Sequence, residues 1–271
     1  MNTDIYLRNR DLGQAPDRQG TEEIDVHNGT EHIQSDETTG KWSISNNTKE
    51  LLRAIFVEFI GTLFYVFIAT NGYWYGPGFV LTSLIIAFGK ISEGHFNPVV
   101  TLAVSISRGF TRMTALYVIA QMVGGIAGAA LAKVVFFDYS NAVRLGPYLN
   151  VLGESVEPAN GILCEGLSTF LLVLTYLMSI VDKRNKDSML SPIAIGCVVT
   201  ANIVTTLNVT GGSMNPARSF GPVVCLSNSK YSHVVWKYHY VYWVGPTAGS
   251  IVAAVVYRFI LSTEPCCCRT Q

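Results

Sequence analysis

Polar and apolar residues fall in long blocks along this chain. After a polar first fifty residues, apolar windows recur near 51–70, 79–92, 114–136, 162–181, 190–208 and 240–261. A helix that crosses a bilayer needs about 20 mainly apolar residues, so the pattern predicts six spanning helices. The second window is short unless the aromatic-rich NGYWYGPGF ahead of it enters the membrane interface. Two further segments, Pro98 to Ser107 and Pro216 to Leu226, are apolar but far too short to cross. They are re-entrant candidates, since irregular backbone at membrane depth is tolerated only where it is buried in protein or lines water. The predicted fold class is an all-α membrane protein of six transmembrane helices and two re-entrant half-helices.

Composition agrees with that class: 49% of the 271 residues are hydrophobic and 14% charged. Residues 1–50 hold ten acidic and five basic side chains, which leaves nine acidic and fourteen basic for the rest. That first stretch lacks the apolar core and cleavage site of a secretory signal and is too polar to bury a core. It reads as a disordered tail over 1–49, or as a regulatory segment that folds on a partner. Lys49, Arg53, Arg108, Arg112, Lys183, Arg184, Lys186 and Arg258 fall on one side of the predicted spans, and chiefly Arg144, Lys230 and Lys237 on the other. The excess places both termini in the cytoplasm. Tyr73, Trp74, Tyr75, Tyr231, Trp236 and Tyr238 then form an outer aromatic belt.

The chain also repeats itself. Glu58 precedes Thr62 by four residues, as Glu165 precedes Thr169; GHFNPVVT matches GSMNPARS; Gly124 and Gly128 match Gly245 and Gly249. With three spans per repeat, an odd number, the halves must have opposite orientation. The two Asn-Pro segments therefore enter from opposite faces and can meet at the midplane.

Asn followed by Pro suits a helix start, with Asn97 and Asn215 as N-caps and Pro98 and Pro216 at the first helical position. Each helix N-terminus carries roughly +0.5 of an elementary charge. Two of them tip to tip repel cations, and the Asn amides offer N–H donors to a neutral oxygen. A water there would turn its hydrogens away on both sides, which breaks the alignment that proton hopping requires. The backbone ahead of each Asn, Gly94-His95-Phe96 and Gly211-Gly212-Ser213, is expected to be non-helical and to line the passage with carbonyl acceptors.

The duplicated boxes, the NPARSFGP sequence and the two glutamates resemble the major intrinsic protein family, the aquaporins. The resemblance covers residues 50 to 262, with repeats over about 50–137 and 160–262 and a short tail at 263–271. ISEGHFNP and GGSMNPARSFGP are most similar to the aquaporin-eight type and to plant tonoplast members. It implies a right-handed bundle with one pore per subunit, a homotetramer in the lipid bilayer, and a channel for water and small neutral solutes. It further implies an outer filter at Arg218, Ile203, Gly212 and a fourth position that falls on Pro77, with Tyr75 or Phe79 as the alternatives if a local gap intervenes. Small or apolar groups at Ile203 and Gly212 give a filter that resembles members admitting ammonia or hydrogen peroxide beside water. Ser219 after Arg218, and the Tyr242-Trp243 pair, disfavour glycerol. Two departures stand out: Val99 replaces the usual alanine, and Glu93 a small residue.

Other residues have two readings each. Glu58 and Glu165 are a proton relay or, better, acceptors that satisfy the irregular loops. His95 is a pH gate or a fixed hydrogen-bonding element. Cys266, Cys267 and Cys268, just past the last span, are palmitoylation sites or free thiols. The glycines allow close helix packing. No nucleophile triad, metal-ligand spacing, phosphate loop or cofactor motif occurs, so neither an enzyme nor a cofactor or nucleic-acid partner is expected. A junction protein on the same scaffold, with low conductance, is the alternative function. The plasma membrane is the expected location, an internal membrane the other.

Overall fold

The computed structural model describes residues 46–70, 73–136, 149–185 and 188–263. They belong to a single unit, residues 44–271; the separate stretch 1–43 and the triplet Cys266, Cys267 and Cys268 lie outside the described residues. All regular structure among the described residues is helical.

The helices are α1 (Asn46–Ala69), α2 (Gly76–Ser92), α3 (Pro98–Arg108), α4 (Arg112–Phe136), α5 (Pro158–Tyr176), α6 (Ser191–Thr206), α7 (Pro216–Leu226), the short α8 (Ser232–Lys237) and α9 (Val241–Val256). Single π-helical turns, Leu177–Val181 and Tyr257–Leu261, extend α5 and α9. Each predicted window thus carries a helix, and the two short segments carry α3 and α7. Among the described residues four helical stretches are long and apolar enough to cross a membrane, Thr48–Ala69, Arg112–Phe136, Pro158–Val181 and Ser232–Leu261, the last running from α8 through α9 and its extension, whereas α2 and α6 have 17 and 16 residues. At 1.5 Å per residue those two span roughly 25 Å, a little less than the hydrocarbon core.

Packing repeats between the halves. α1 lies against α4, and α5 against α9, through the glycines that the sequence pairs. A Cβ on Gly124 or Gly128 would stand 2.4 or 2.2 Å from the carbonyl oxygens of Phe59 and Leu63. On Gly245 or Gly249 it would stand 2.7 or 2.1 Å from those of Ile162 and Gly166. Only glycine lets these backbones approach so closely. The side chains turned away from this interior are large and apolar, among them Phe56, Ile119, Val134, Leu163, Leu167 and Ile260. An apolar exterior of that extent suits lipid as the surrounding solvent.

The two π turns are tied together. Arg184 donates through Nε and Nη2 to Asp182 at 2.8 and 2.9 Å and through Nη2 to the Leu261 carbonyl at 2.8 Å.

Candidate functional site

Both half-helices start as their sequences require. Asn97 is extended (φ −157°, ψ 122°) and its Oδ1 accepts from the Val99 N–H at 3.1 Å; Asn215 Oδ1 accepts from Ala217 and Arg218 at 3.0 and 3.4 Å. Pro98 and Pro216 follow in the first turn, where no N–H is needed. The two tips meet. Asn97 Nδ2 donates to the Met214 carbonyl and Asn215 Nδ2 to the Phe96 carbonyl, both at 2.9 Å. Each amide therefore spends one N–H on the opposite loop, where the sequence suggested that both would face a lumen. The reason lies in the loop backbone: Gly94, Phe96, Gly211, Gly212 and Met214 all have φ between 47° and 76°. Such a chain makes no helix or sheet ladder, so its buried carbonyls take donors from elsewhere.

The glutamates act as acceptors for these loops. Glu58 Oε1 accepts from Ser92 Oγ (2.7 Å) and the His95 N–H (3.0 Å), and Oε2 from the Phe96 N–H (2.8 Å) and Gln121 Nε2 (2.7 Å). Glu165 accepts from the N–H groups of Ser213 (2.9 Å) and Met214 (2.7 Å) and from the Thr210 side chain. Ser92 and Thr210 each stand five residues before their box asparagine. A second pair of hydroxyls braces each box: Thr101 approaches His95 Nδ1 at 3.0 Å, and Ser219 hydrogen-bonds Ser213.

A narrow, partly open cavity lies on the first-box side. The backbone of Gly94 to Asn97, together with Asn215, His95, Tyr65 and Tyr176, forms its polar wall, and Leu81, Ile85, Val100, Leu172 and Ile195 its apolar one.

On the second-box side, Gly212 rests directly on α6: a Cβ there would stand 2.9 Å from Ile203 Cα and 2.9 Å from Thr206 Oγ1. The structure therefore brings Gly212 and Ile203 together. Arg218 is buried in the first turn of α7, and its Nη2 donates to the Ala69 carbonyl at 3.0 Å. Pro77 is buried in the first turn of α2, whereas Tyr75 and Phe79 are 41% and 69% exposed and point away from the bundle interior. Val99, whose extra methyls required space, is buried, and its carbonyl accepts from Ser250 Oγ at 2.5 Å.

Several contributors went unnoticed in the sequence. Gln121 joins Glu58 to Thr101, donating at 2.7 and 2.8 Å. Asn150 donates to the Gly211 carbonyl at 3.0 Å and accepts from Ser219 at 3.4 Å, so the segment after the undescribed 137–148 holds the second box. Tyr242 Oη donates to the Thr210 carbonyl at 2.9 Å. Gln121 was detectable as an isolated amide in an apolar run; Asn150 lies in a loop with no pattern around it. Among the described residues no cluster of histidine, cysteine or carboxylate side chains could hold a metal.

Two short helices meeting tip to tip inside a bundle of longer apolar ones, in halves of opposite orientation, define a polytopic membrane protein of the inverted-repeat kind. The profile described as "Major intrinsic protein" matches residues 45–257, and the chain belongs to that family, the aquaporins. It is 34% identical to aquaporin-5 of Mus musculus over 224 residues, covering 77% of this chain and 81% of that one. It is 32% identical to the probable aquaporin PIP2-7 of Oryza sativa subsp. japonica (83% and 82% covered) and to aquaporin-4 of Mus musculus (80% and 70%). The X-ray structure of the aquaglyceroporin from Plasmodium falciparum shares the fold, with a TM-score of 0.69 at 22% identity, over 78% of this chain and 97% of that one.

Proposed function

We propose that this chain is a passive transmembrane channel that conducts water down osmotic gradients and excludes protons and ions. The observation that carries the reading is the meeting of Asn97 and Asn215: each caps its half-helix, bonds the opposite loop, and keeps one amide N–H for a passing molecule. Two helix N-termini at that point set a positive potential against cations. The relatives named aquaporin support the same reading, and no feature of the site favours a junction protein over a conducting one.

The finer reading is as follows. Water enters past Arg218, Ile203, Gly212 and Pro77, passes the asparagines, and leaves along Gly94 and His95, with Ser213 and Gly211 as the corresponding backbone on the other side. Ammonia and hydrogen peroxide, neutral and similar in hydrogen bonding, follow the same path, because Ile203 and Gly212 present little polar surface. The chain assembles as a homotetramer with one pore per subunit, lies in the plasma membrane and keeps both termini in the cytoplasm. Osmotic shrinkage of proteoliposomes, followed by light scattering, tests the path. The native chain should accelerate shrinkage about tenfold or more over empty vesicles, and Arg218→Trp, which fills the filter, should remove most of that gain. An unchanged rate in Arg218→Trp would place the path elsewhere.

A further inference from the structure

α1 meets the two boxes on one face. A Cβ on Gly61 would run into the Phe96 ring, so the first loop lies directly on this helix, and further along it the Ala69 carbonyl accepts from Arg218 Nη2 at 3.0 Å. Residues four apart share a helix face, so Tyr65, midway between Gly61 and Ala69, lies on the same one. At 1.5 Å per residue it stands about 6 Å along the axis from each. It lines the cavity together with Asn97 and Asn215.

The other half repeats this face without the hydroxyl. Glu58 and Thr62 pair with Glu165 and Thr169, which sets Leu172 at the position of Tyr65, and Leu172 lines the same cavity. Tyr65 is 4% exposed, yet its hydroxyl makes no hydrogen bond to any described residue. Tyr176, the other tyrosine of the wall, is already engaged, since its hydroxyl donates to the Glu93 carbonyl at 2.7 Å. A buried hydroxyl without a partner is costly, and the partner open to Tyr65 is a molecule in the cavity.

We propose that Tyr65 is a specificity-determining residue: its hydroxyl holds hydrogen peroxide at the waist, bonding one oxygen while the asparagine amides donate to the other. The inference rests on the path proposed above, which runs past Asn97 and Asn215. Beyond their cross-loop bonds the two amides offer donors alone. Water has one oxygen, and in a single file its hydrogens find the molecules ahead and behind. Hydrogen peroxide has two oxygens and two O–H groups but no more neighbours in the file, so it depends more on the wall to replace the bonds it had in bulk. A phenol hydroxyl both donates and accepts, so Tyr65 serves the O–H that the amides cannot. Leu172, at the matched position, offers no polar group.

The test compares water and hydrogen peroxide entry into proteoliposomes carrying the full chain, the first by light scattering and the second by a trapped peroxide-sensitive dye. The native chain is set beside Tyr65→Phe, which keeps the ring and removes only the hydroxyl. The native chain should admit peroxide well above the level of empty vesicles. Tyr65→Phe should lose about threefold or more of that rate, the order expected for one hydrogen bond, while its water permeability stays within about twofold and shows that it is folded and inserted. Peroxide entry unchanged in Tyr65→Phe, or falling by the same factor as water, would overturn the inference. So would a native chain that passes water quickly yet admits peroxide no faster than empty vesicles. A native chain that is inserted yet no faster than empty vesicles for water would fail the water-path reading itself, and the inference with it.

Discussion

Around the first box, Glu58 collects four donors, two from the loop backbone and one each from Ser92 and Gln121; around the second, Glu165 collects two backbone donors and the Thr210 side chain. Where α4 supplies Gln121 to the first carboxylate, α9 supplies Tyr242, which bonds the Thr210 carbonyl and not the carboxylate. The mouths diverge further: Glu93, His95 and Thr101 on one side correspond to Gly211, Ser213 and Ser219 on the other, and Val100 corresponds to Arg218. Outside support differs too, since Asn150 braces the second loop from a connecting segment and nothing among the described residues does so for the first. The duplicated skeleton thus recurs within the molecule at caps, glycines and carboxylates, while the positions along the proposed path differ between the halves.

The largest test of that comparison removes the carboxylates one at a time. Each buried donor left without a partner costs about 1–3 kcal/mol, so Glu58→Ala should lose about 4 kcal/mol or more and Glu165→Ala somewhat less. Thermal unfolding of the purified protein in detergent would measure both; a larger loss at Glu165 would break the donor count as an account of the two halves. The next test bears on the shared waist. Asn97→Ala and Asn215→Ala each remove a cap and a cross-loop bond, so each should cost about 2 kcal/mol. Because the bonds are reciprocal, the double variant should cost less than the sum. Strict additivity would mean that the tips do not support each other.

The sequence made much of this legible. Six apolar windows, two Asn-Pro starts and the matched glycines specify the helices and the inverted repeat, because lipid demands long apolar runs and close packing demands glycine. The acceptor role of Glu58 and Glu165 was also readable, since buried loop N–H groups must be satisfied by something. What escaped were partners fixed only by folding: the exchange between Asn97 and the Met214 carbonyl joins residues far apart in the chain, and Asn150 sits in a segment with no periodicity. Glu93 was visible as an oddity, but its ion pair with Arg108, at 2.7 Å, forms only because the turn at the end of α2 brings the two together.

The smallest effect concerns the far ends of the half-helices. Lys133 on α4 donates to the Cys225 carbonyl at the end of α7, and Arg258 beyond α9 to the Ile106 carbonyl at the end of α3, both at 2.6 Å. A cation at a helix C-terminus contributes about 0.3–1 kcal/mol, so Lys133→Met and Arg258→Met should each lower stability by that order, with similar values. A much larger loss in one would show that its half-helix depends on the cation for more than its dipole.

The most direct measurement takes water and proton flux from the same proteoliposomes, one by light scattering and the other by a trapped pH indicator. The account predicts that the native chain raises osmotic permeability about tenfold or more while proton flux stays at the level of empty vesicles, and that Asn215→Ala narrows the gap between the two. Proton flux rising in step with water flux through the native chain would contradict the claim that paired half-helix tips, each capped by its asparagine, pass water and block its protons.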